Sequence, residues 1–311
     1  MTSCNNAGRR QTSSGPSSQA DRQETPQDPA KSSPCSPSDA PAAPRATIGS
    51  FKRKVDQEEW AQRARNDFER LFYSHDGRGL HKWHHYLDIY DRHLGWFLAA
   101  RRRRGETGPV RLLEIGVAAG GSLQMWRKYF GPEAIIYGID INPECLEIAD
   151  PAVQVRIGSQ ADEEFLRSVI EEMGGVDVIV DDGSHIASHQ LVSFDVLFPL
   201  LSDSGLYICE DLHTAYMPSF EGGLGRDGTF IEFTKKMMDW LHDWYVRPAD
   251  RKRLRYSDPY GFATKVSGVC VYDSVVVVEK CRKDRPFHTI VGKNNMRQGH
   301  ASPAPTPTRT G

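Results

Sequence analysis

Five short runs of large apolar residues, rich in β-branched side chains, recur through the middle of the chain. They are Val110 to Gly116, Ala134 to Ile139, Val153 to Ile157, Val176 to Val180 and Gly205 to Cys209. Runs of this length suit strands buried on both faces of a parallel sheet better than half-exposed ones, which would alternate with polar residues. Between them lie stretches with helical spacing. One helix begins near Leu123, one covers 163–173 and closes at Gly174-Gly175, and one runs from Ile186 to Leu201. Alternation of strand and helix predicts an α/β domain. Two further β runs, Lys265 to Tyr272 and Ser274 to Lys280, meet at a tight turn at Asp273 and read as an antiparallel hairpin at the far edge. The expected fold is therefore α/β: a mostly parallel seven-stranded sheet with a C-terminal antiparallel hairpin and helices on both faces.

The flanks differ. Residues 1–48 are rich in Ser, Pro, Gln and Ala, and 296–311 repeat that bias. Such segments bury too little apolar surface to offset their ordering entropy, so both are expected to be disordered tails. Residues 49–108 read as an N-terminal helical segment, with one helix over 51–73. After it comes the block His81-Lys82-Trp83-His84-His85-Tyr86, which leads into a helix ending near Arg104. The Arg101 to Arg104 run complements that helix's C-terminal dipole. The main domain is expected over 109–295. Within it, residues 212–223 read as a long aromatic loop suited to a substrate lid, and 229–245 as an amphipathic helix.

Composition narrows the class. The 311 residues carry a formal net charge of −2, so no polyanionic partner is implied and nucleic acid is not expected. Six cysteines, at 4, 35, 145, 209, 270 and 281, form no CxxC pair, which favours a reducing cytoplasm over a disulfide framework or a zinc site. No apolar run spans a membrane, and the N-terminus lacks the apolar core of a signal peptide. A homo-oligomer is compatible with the sequence.

Candidate chemistry collects where the strands end, as ligands do in open α/β sheets. The first strand runs into Gly116-Val117-Ala118-Ala119-Gly120-Gly121-Ser122, small residues that let a ligand approach the backbone, with Ser122 suited to an N-cap. The second ends in Asp140, placed to accept hydrogen bonds from ribose hydroxyls. Ser159 and Gln160 follow the third strand and could reach an adenine edge. The turn has neither GxGxxG nor GKS/GKT, and Glu114 just before it suits a cationic ligand better than a pyrophosphate. S-adenosylmethionine, a sulfonium, fits that charge better than NAD or ATP. The fourth strand stops at Asp181-Asp182-Gly183-Ser184-His185 and the fifth at Glu210-Asp211. If those strands are parallel neighbours, Asp182, Glu210 and Asp211 meet at one sheet edge beside His185, forming a metal site with a general base. His213 is a second candidate base. The plainer readings are a helix cap for Asp182, a solvated strand end for Glu210 and Asp211, and a structural imidazole for His185.

Taken together, the Glu114-x-Gly116-x-x-x-Gly120-Gly121-Ser122 turn resembles the S-adenosylmethionine-binding motif of class I methyltransferases, a Rossmann-like fold in which parallel strands come first and a hairpin last. The Asp181-to-His185 block with Glu210-Asp211 resembles the metal-dependent sugar O-methyltransferases of macrolide biosynthesis, of the mycinamicin and demethylmacrocin type. The resemblance covers about residues 80 to 280. It implies Mg²⁺ held by Asp182, Glu210 and Asp211, with His185 as the base. Cofactor contacts are expected from Glu114, Gly116, Gly120 and Ser122 in the turn. Asp140, Ser159, Gln160 and Asp181 complete them from the following strand ends. The implied activity is methylation of a hydroxyl on a small molecule, with a glycosyl group of a natural product as the expected acceptor. A cephalosporin hydroxylase-like protein and a catechol-type O-methyltransferase are the alternatives. The substrate side has no match, because the larger family members carry an N-terminal domain of their own.

Overall fold

The computed structural model describes residues 53–292, so both expected disordered tails lie outside the described residues. From Val55 onward the chain forms one unit. Its sheet has seven strands: β1 (Arg111–Ile115), β2 (Ile135–Asp140), β3 (Val153–Ile157), β4 (Val176–Asp181), β5 (Leu201–Cys209), β6 (Val266–Val271) and β7 (Val276–Lys280). They lie in the order β3-β2-β1-β4-β5-β7-β6. The first five are mutually parallel. β7 enters antiparallel to β5, and β6 closes the edge antiparallel to β7. This is the expected mixed sheet, the arrangement of a Rossmann-like class I methyltransferase fold.

The apolar runs read as two-faced strands, and they are. Leu112, Val178 and Leu206 point to one core, while their neighbours Leu113, Ile179 and Tyr207 point to the other. The first core is covered by α2 (Asp67–Tyr73), α3 (Tyr86–Arg103) and α4 (Gly121–Phe130). Trp126, Phe68, Tyr90 and Phe97 pack there, all but inaccessible. The second is covered by α5 (Glu163–Met173), α6 (Ala187–Leu200) and α7 (Phe230–Leu241), with stacked Phe194 and Phe198 at its centre.

Local chemistry explains most boundaries. Asp162 caps α5 by accepting from the Phe165 amide, and Gly174 ends it in the left-handed region. The expected helix over 51–73 is instead two, α1 (Gln57–Gln62), which ends at its C-cap Arg63, and α2, which Asn66 caps by accepting from Glu69 N–H. Ser122 is not an N-cap: α4 starts one residue earlier, behind Gly120. Helix α6 passes into β5 at Leu201, without the polar spacer expected before Gly205. The Lys280 ammonium makes this join workable by donating to the carbonyls of Phe198 (3.0 Å), Pro199 (3.1 Å) and Leu201 (2.6 Å) at the helix end. The aromatic loop folds into two 3₁₀ turns, Leu212–Tyr216 and Pro218–Phe220. Two short helices, α8 (Pro248–Leu254) and α9 (Phe262–Lys265), precede the hairpin.

Strand order reverses between β1 and β4, since β2 lies on one side of β1 and β4 on the other. The loops after these two strands diverge to opposite faces and leave a crevice at their carboxyl ends. No helix among the described residues is long and apolar enough to cross a membrane.

Candidate active site

That crevice is a cavity of about 880 Å³. Its walls come from the loops after β1, β2, β3 and β4, from Asp211 after β5, and from residues 79–82 ahead of α3. The floor is set by one close approach. Gly116 has φ +91°, and a Cβ there would lie 2.2 Å from the Asp182 carbonyl oxygen. The same two loops are tied by Asp182 N–H donating to the Ile115 carbonyl at 3.0 Å. The glycine lets the turn after β1 lie directly against the residue that begins the acidic block.

Asp140 holds the turn from the other side. Its carboxylate accepts from the amides of Val117 (2.9 Å), Ala118 (3.2 Å) and Asn142 (2.9 Å). Partial burial would raise its pKa, but these backbone donors more than offset that and hold it below the ordinary value. Asp140 also lines the cavity, together with Gly116, Ser122, Ser159 and Gln160.

Several expected ligand contacts are moved by the structure. Glu114 is fully buried and does not line the cavity. Its Oε2 accepts from Ser122 Oγ at 2.6 Å, and burial pushes its pKa up to about 7. Gly120 also lies off the cavity wall, where its α-carbon faces Ile148. Asp181 is inaccessible and turned to the opposite face of the sheet, where it accepts from Tyr207 Oη (3.0 Å) and Gln160 Nε2 (3.2 Å). Burial raises its carboxyl to about 7 against those two donors. Gln160 touches the cavity, but its amide is committed: Nε2 also donates to Ser193 Oγ, and Oε1 accepts from Ser184 N–H at 2.6 Å. It positions the Asp181-to-His185 block and has little left to offer an adenine edge.

At the cavity rim Asp182, His185 and Asp211 converge. Their ligand atoms lie within 4.8 Å of one another. His185 Nε2 is 3.9 Å from Asp182 Oδ1 and 3.7 Å from Asp211 Oδ2. His185 and Asp211 both sit in the left-handed region, at φ +57° and +54°. Two non-glycine residues in that region at one site mark a conformation the surrounding fold imposes. Asp211 is fixed by Tyr86 Oη donating to its Oδ1 at 2.6 Å. His185 Nδ1 is buried without a hydrogen-bond partner. Two carboxylates that face the imidazole Nε2 offer oxygen ligands to a divalent cation at the rim, with a proton-accepting ring nitrogen next to it. His213, the other candidate base, bonds Ser274 Oγ through Nδ1 (2.6 Å) and does not line the cavity.

Glu210 departs from the expected ligand set. It is buried, with Oε1 accepting from Tyr90 Oη and Oε2 from Lys82 Nζ at 2.9 Å. Burial and the Asp182 charge push its pKa upward, and Lys82 opposes them. Lys82 also reaches Asp182 Oδ2 at 2.5 Å. Lys82, Tyr86 and Tyr90 were given no role from sequence. Tyr86 and Tyr90 lie four residues apart on one face of α3, with Lys82 in the loop just ahead of it, and that spacing was the available signal.

No protein-family model matches the chain. Among curated proteins it is similar to the 8-demethyl-8-(2-methoxy-alpha-L-rhamnosyl)-tetracenomycin-C 3'-O-methyltransferase of Streptomyces olivaceus, at 36% identity over 255 residues, covering 78% of this chain and 61% of that one. It is 35% identical over 211 residues to the mycinamicin VI 2''-O-methyltransferase of Micromonospora griseorubida, covering 65% and 49%. Among solved structures it is similar to the MycE methyltransferase of the mycinamycin biosynthetic pathway in complex with Mg, SAH and mycinamycin VI. The identity there is 31% and the TM-score 0.55, covering 76% of this chain and 57% of that one. The chain spans about half to three fifths of the length of these relatives.

Proposed function

We propose that this chain, which has the class I methyltransferase fold and resembles the metal-dependent sugar O-methyltransferases of natural-product pathways, methylates a hydroxyl of a glycosyl group using S-adenosylmethionine and Mg²⁺. The observation that carries the reading is the meeting of Asp182, His185 and Asp211 at the rim of the same cavity that Gly116, Asp140 and Ser159 line. One half of the cavity has the features of a nucleoside site, and the other half those of a site for handling a hydroxyl.

Asp140 would accept from the ribose hydroxyls with the lone pairs its backbone donors leave, and Ser159 would face the adenine. Asp182 and Asp211 would hold the cation, which when bound lowers the pKa of a hydroxyl, while S-adenosylmethionine supplies the electrophilic methyl group. His185 Nε2 would accept the hydroxyl proton as the hydroxyl oxygen takes the methyl group from the sulfonium, so that a neutral thioether and a protonated His185 balance the charge. The cavity wall orients the hydroxyl in line with the methyl group, which supplies much of the remaining acceleration.

Calorimetry of S-adenosylhomocysteine binding, with and without Mg²⁺, on the wild type and on Asp182→Asn tests the reading. Nucleotide binding to both proteins, with Mg²⁺ uptake by the wild type alone, is expected. Absence of nucleotide binding to the wild type would overturn it. Turnover of glycosides and not of catechols, abolished by EDTA and restored by Mg²⁺, is the expected acceptor pattern. Turnover unaffected by chelation would exclude the metal-assisted mechanism.

A further inference from the structure

Lys82 is the observation the proposed chemistry does not absorb. Its side chain is 3% exposed, and its ammonium sits among three carboxylates: 2.5 Å from Asp182 Oδ2, 2.9 Å from Glu210 Oε2 and 3.8 Å from Glu114 Oε1. Burial would discharge it, but the three acids more than offset that and hold its pKa well above the ordinary value. Asp182 and Glu210 are also two of the three residues expected from sequence to hold the metal. In the structure both also accept hydrogen bonds from this ammonium.

We propose that Lys82 is a resident counter-cation of this site: it keeps Asp182 and Glu210 in register when no metal is bound, competes with a divalent cation for them, and thereby sets the site's metal affinity. This rests on the metal-assisted reading above.

The distances define the competition. Asp182 has one oxygen on Lys82 and the other, Oδ1, facing His185. Glu210 has both oxygens taken, by Tyr90 and by Lys82. With Lys82 in place, the chain therefore presents a cation with Asp182 Oδ1 and Asp211 Oδ2 but not with Glu210. Recruiting Glu210 requires the ammonium to let go. A cation on Asp182 Oδ1 would also share that carboxylate with Lys82, and two positive charges so close repel. Lys82 has somewhere to go, because it lines the cavity and its four-carbon stem can turn toward the open side. In this arrangement Lys82 is a positioning residue that acts through Asp182 and Glu210.

The test is Mn²⁺ binding without nucleotide, measured by electron paramagnetic resonance of free Mn²⁺ and by melting temperature with and without the metal. The proteins are the wild type, Lys82→Met, Lys82→Gln and Lys82→Arg. Removing the charge strips the acids of their partner, so the metal-free Met and Gln variants melt below the wild type. Both should bind Mn²⁺ roughly tenfold more tightly, and saturating Mn²⁺ should close most of the gap in melting temperature. Lys82→Arg keeps the charge and stays near wild-type affinity. Lys82→Gln covers the case in which Lys82→Met does not fold without metal, since its amide can still donate to one carboxylate. Unchanged Mn²⁺ affinity in the uncharged variants would reduce Lys82 to a structural ion pair and overturn the proposal. Weaker binding would also overturn it, showing that Lys82 presents the ligands rather than competing for them. If no protein binds Mn²⁺, including the wild type, the metal-assisted reading itself fails, an outcome distinct from equal binding by all.

Discussion

Gly116→Ala puts the geometry of the site under direct strain. At φ +91° an alanine is strained by about 1–2 kcal/mol from its own backbone. The larger effect is the new Cβ, which would lie 2.2 Å from the Asp182 carbonyl oxygen and 2.8 Å from its carbonyl carbon. Both atoms are backbone, so relief requires the loops after β1 and β4 to part by roughly 1 Å, taking a contact of that length to ordinary van der Waals distance. Parting them loads the hydrogen bond from Asp182 N–H to the Ile115 carbonyl, worth about 1 kcal/mol net. The total expected loss is about 2–4 kcal/mol, and Asp182 is displaced from His185 and Asp211. Gly120→Ala is the matched control. It shares a positive φ, +80°, but its Cβ meets the Cγ2 of Ile148, a side chain that can turn away, and it faces away from the cavity. It should lose only about 1–2 kcal/mol and leave metal binding alone. Urea denaturation gives the stabilities and calorimetric Mg²⁺ titration the binding. Equal stability losses in the two variants, with wild-type Mg²⁺ binding in both, would refute the argument that Gly116 sets the place of Asp182.

Three further outcomes follow from separate parts of the molecule. His185→Gln should lower kcat at least about 100-fold while leaving S-adenosylhomocysteine affinity close to wild type, as expected for loss of a general base; a kcat within a few-fold of wild type would move the base elsewhere. His93 is buried between Glu279 and Tyr272, and although burial opposes its charge, hydrogen bonds to Cys270, Glu279 and Tyr272 push its pKa up to about 10. A folded-state pKa above the unfolded value stabilises fully below about pH 6.5 and fades as pH rises toward 10. His93→Gln should therefore cost about 2 kcal/mol more at pH 6 than at pH 10, and a gap that is flat or grows with pH would contradict the assignment. Lys280→Met leaves the carbonyls at the end of α6 without their donor and should destabilise by about 2–3 kcal/mol; a loss under about 0.5 kcal/mol would show that water replaces the ammonium.

The β-branched runs were legible as strands because a strand buried on both faces needs apolar side chains at successive positions, and few other environments tolerate them. The hairpin was legible from its tight turn. Asp182, His185 and Asp211 were legible as a cluster because parallel neighbouring strands bring their carboxyl ends to one edge. Asp181 and Gln160 are placed differently from the expectation, Asp181 buried away from the cavity and Gln160 at its wall with its amide engaged. Side chains alternate along a strand, so Asp181 and Asp182 leave the end of β4 toward different sides, and the sequence does not say which acid meets the cavity. Gln160 was taken for a ligand contact because its partners, Asp181, Ser193 and the Ser184 amide, lie 21 to 33 residues away.

Sequence alone determined the order and type of the elements and the residue types gathered where the strands end. Those follow from local periodicity and from the few ways right-handed βαβ units can be wound. Tertiary structure decided which of those residues are charged partners of one another. Lys82 and Glu210 are 128 positions apart, and only the packing of the segment ahead of α3 against the end of β5 places an ammonium between two acids that the sequence presents as metal ligands. Pairing of buried charges depends on distance and burial in three dimensions, and neither is encoded in any local pattern.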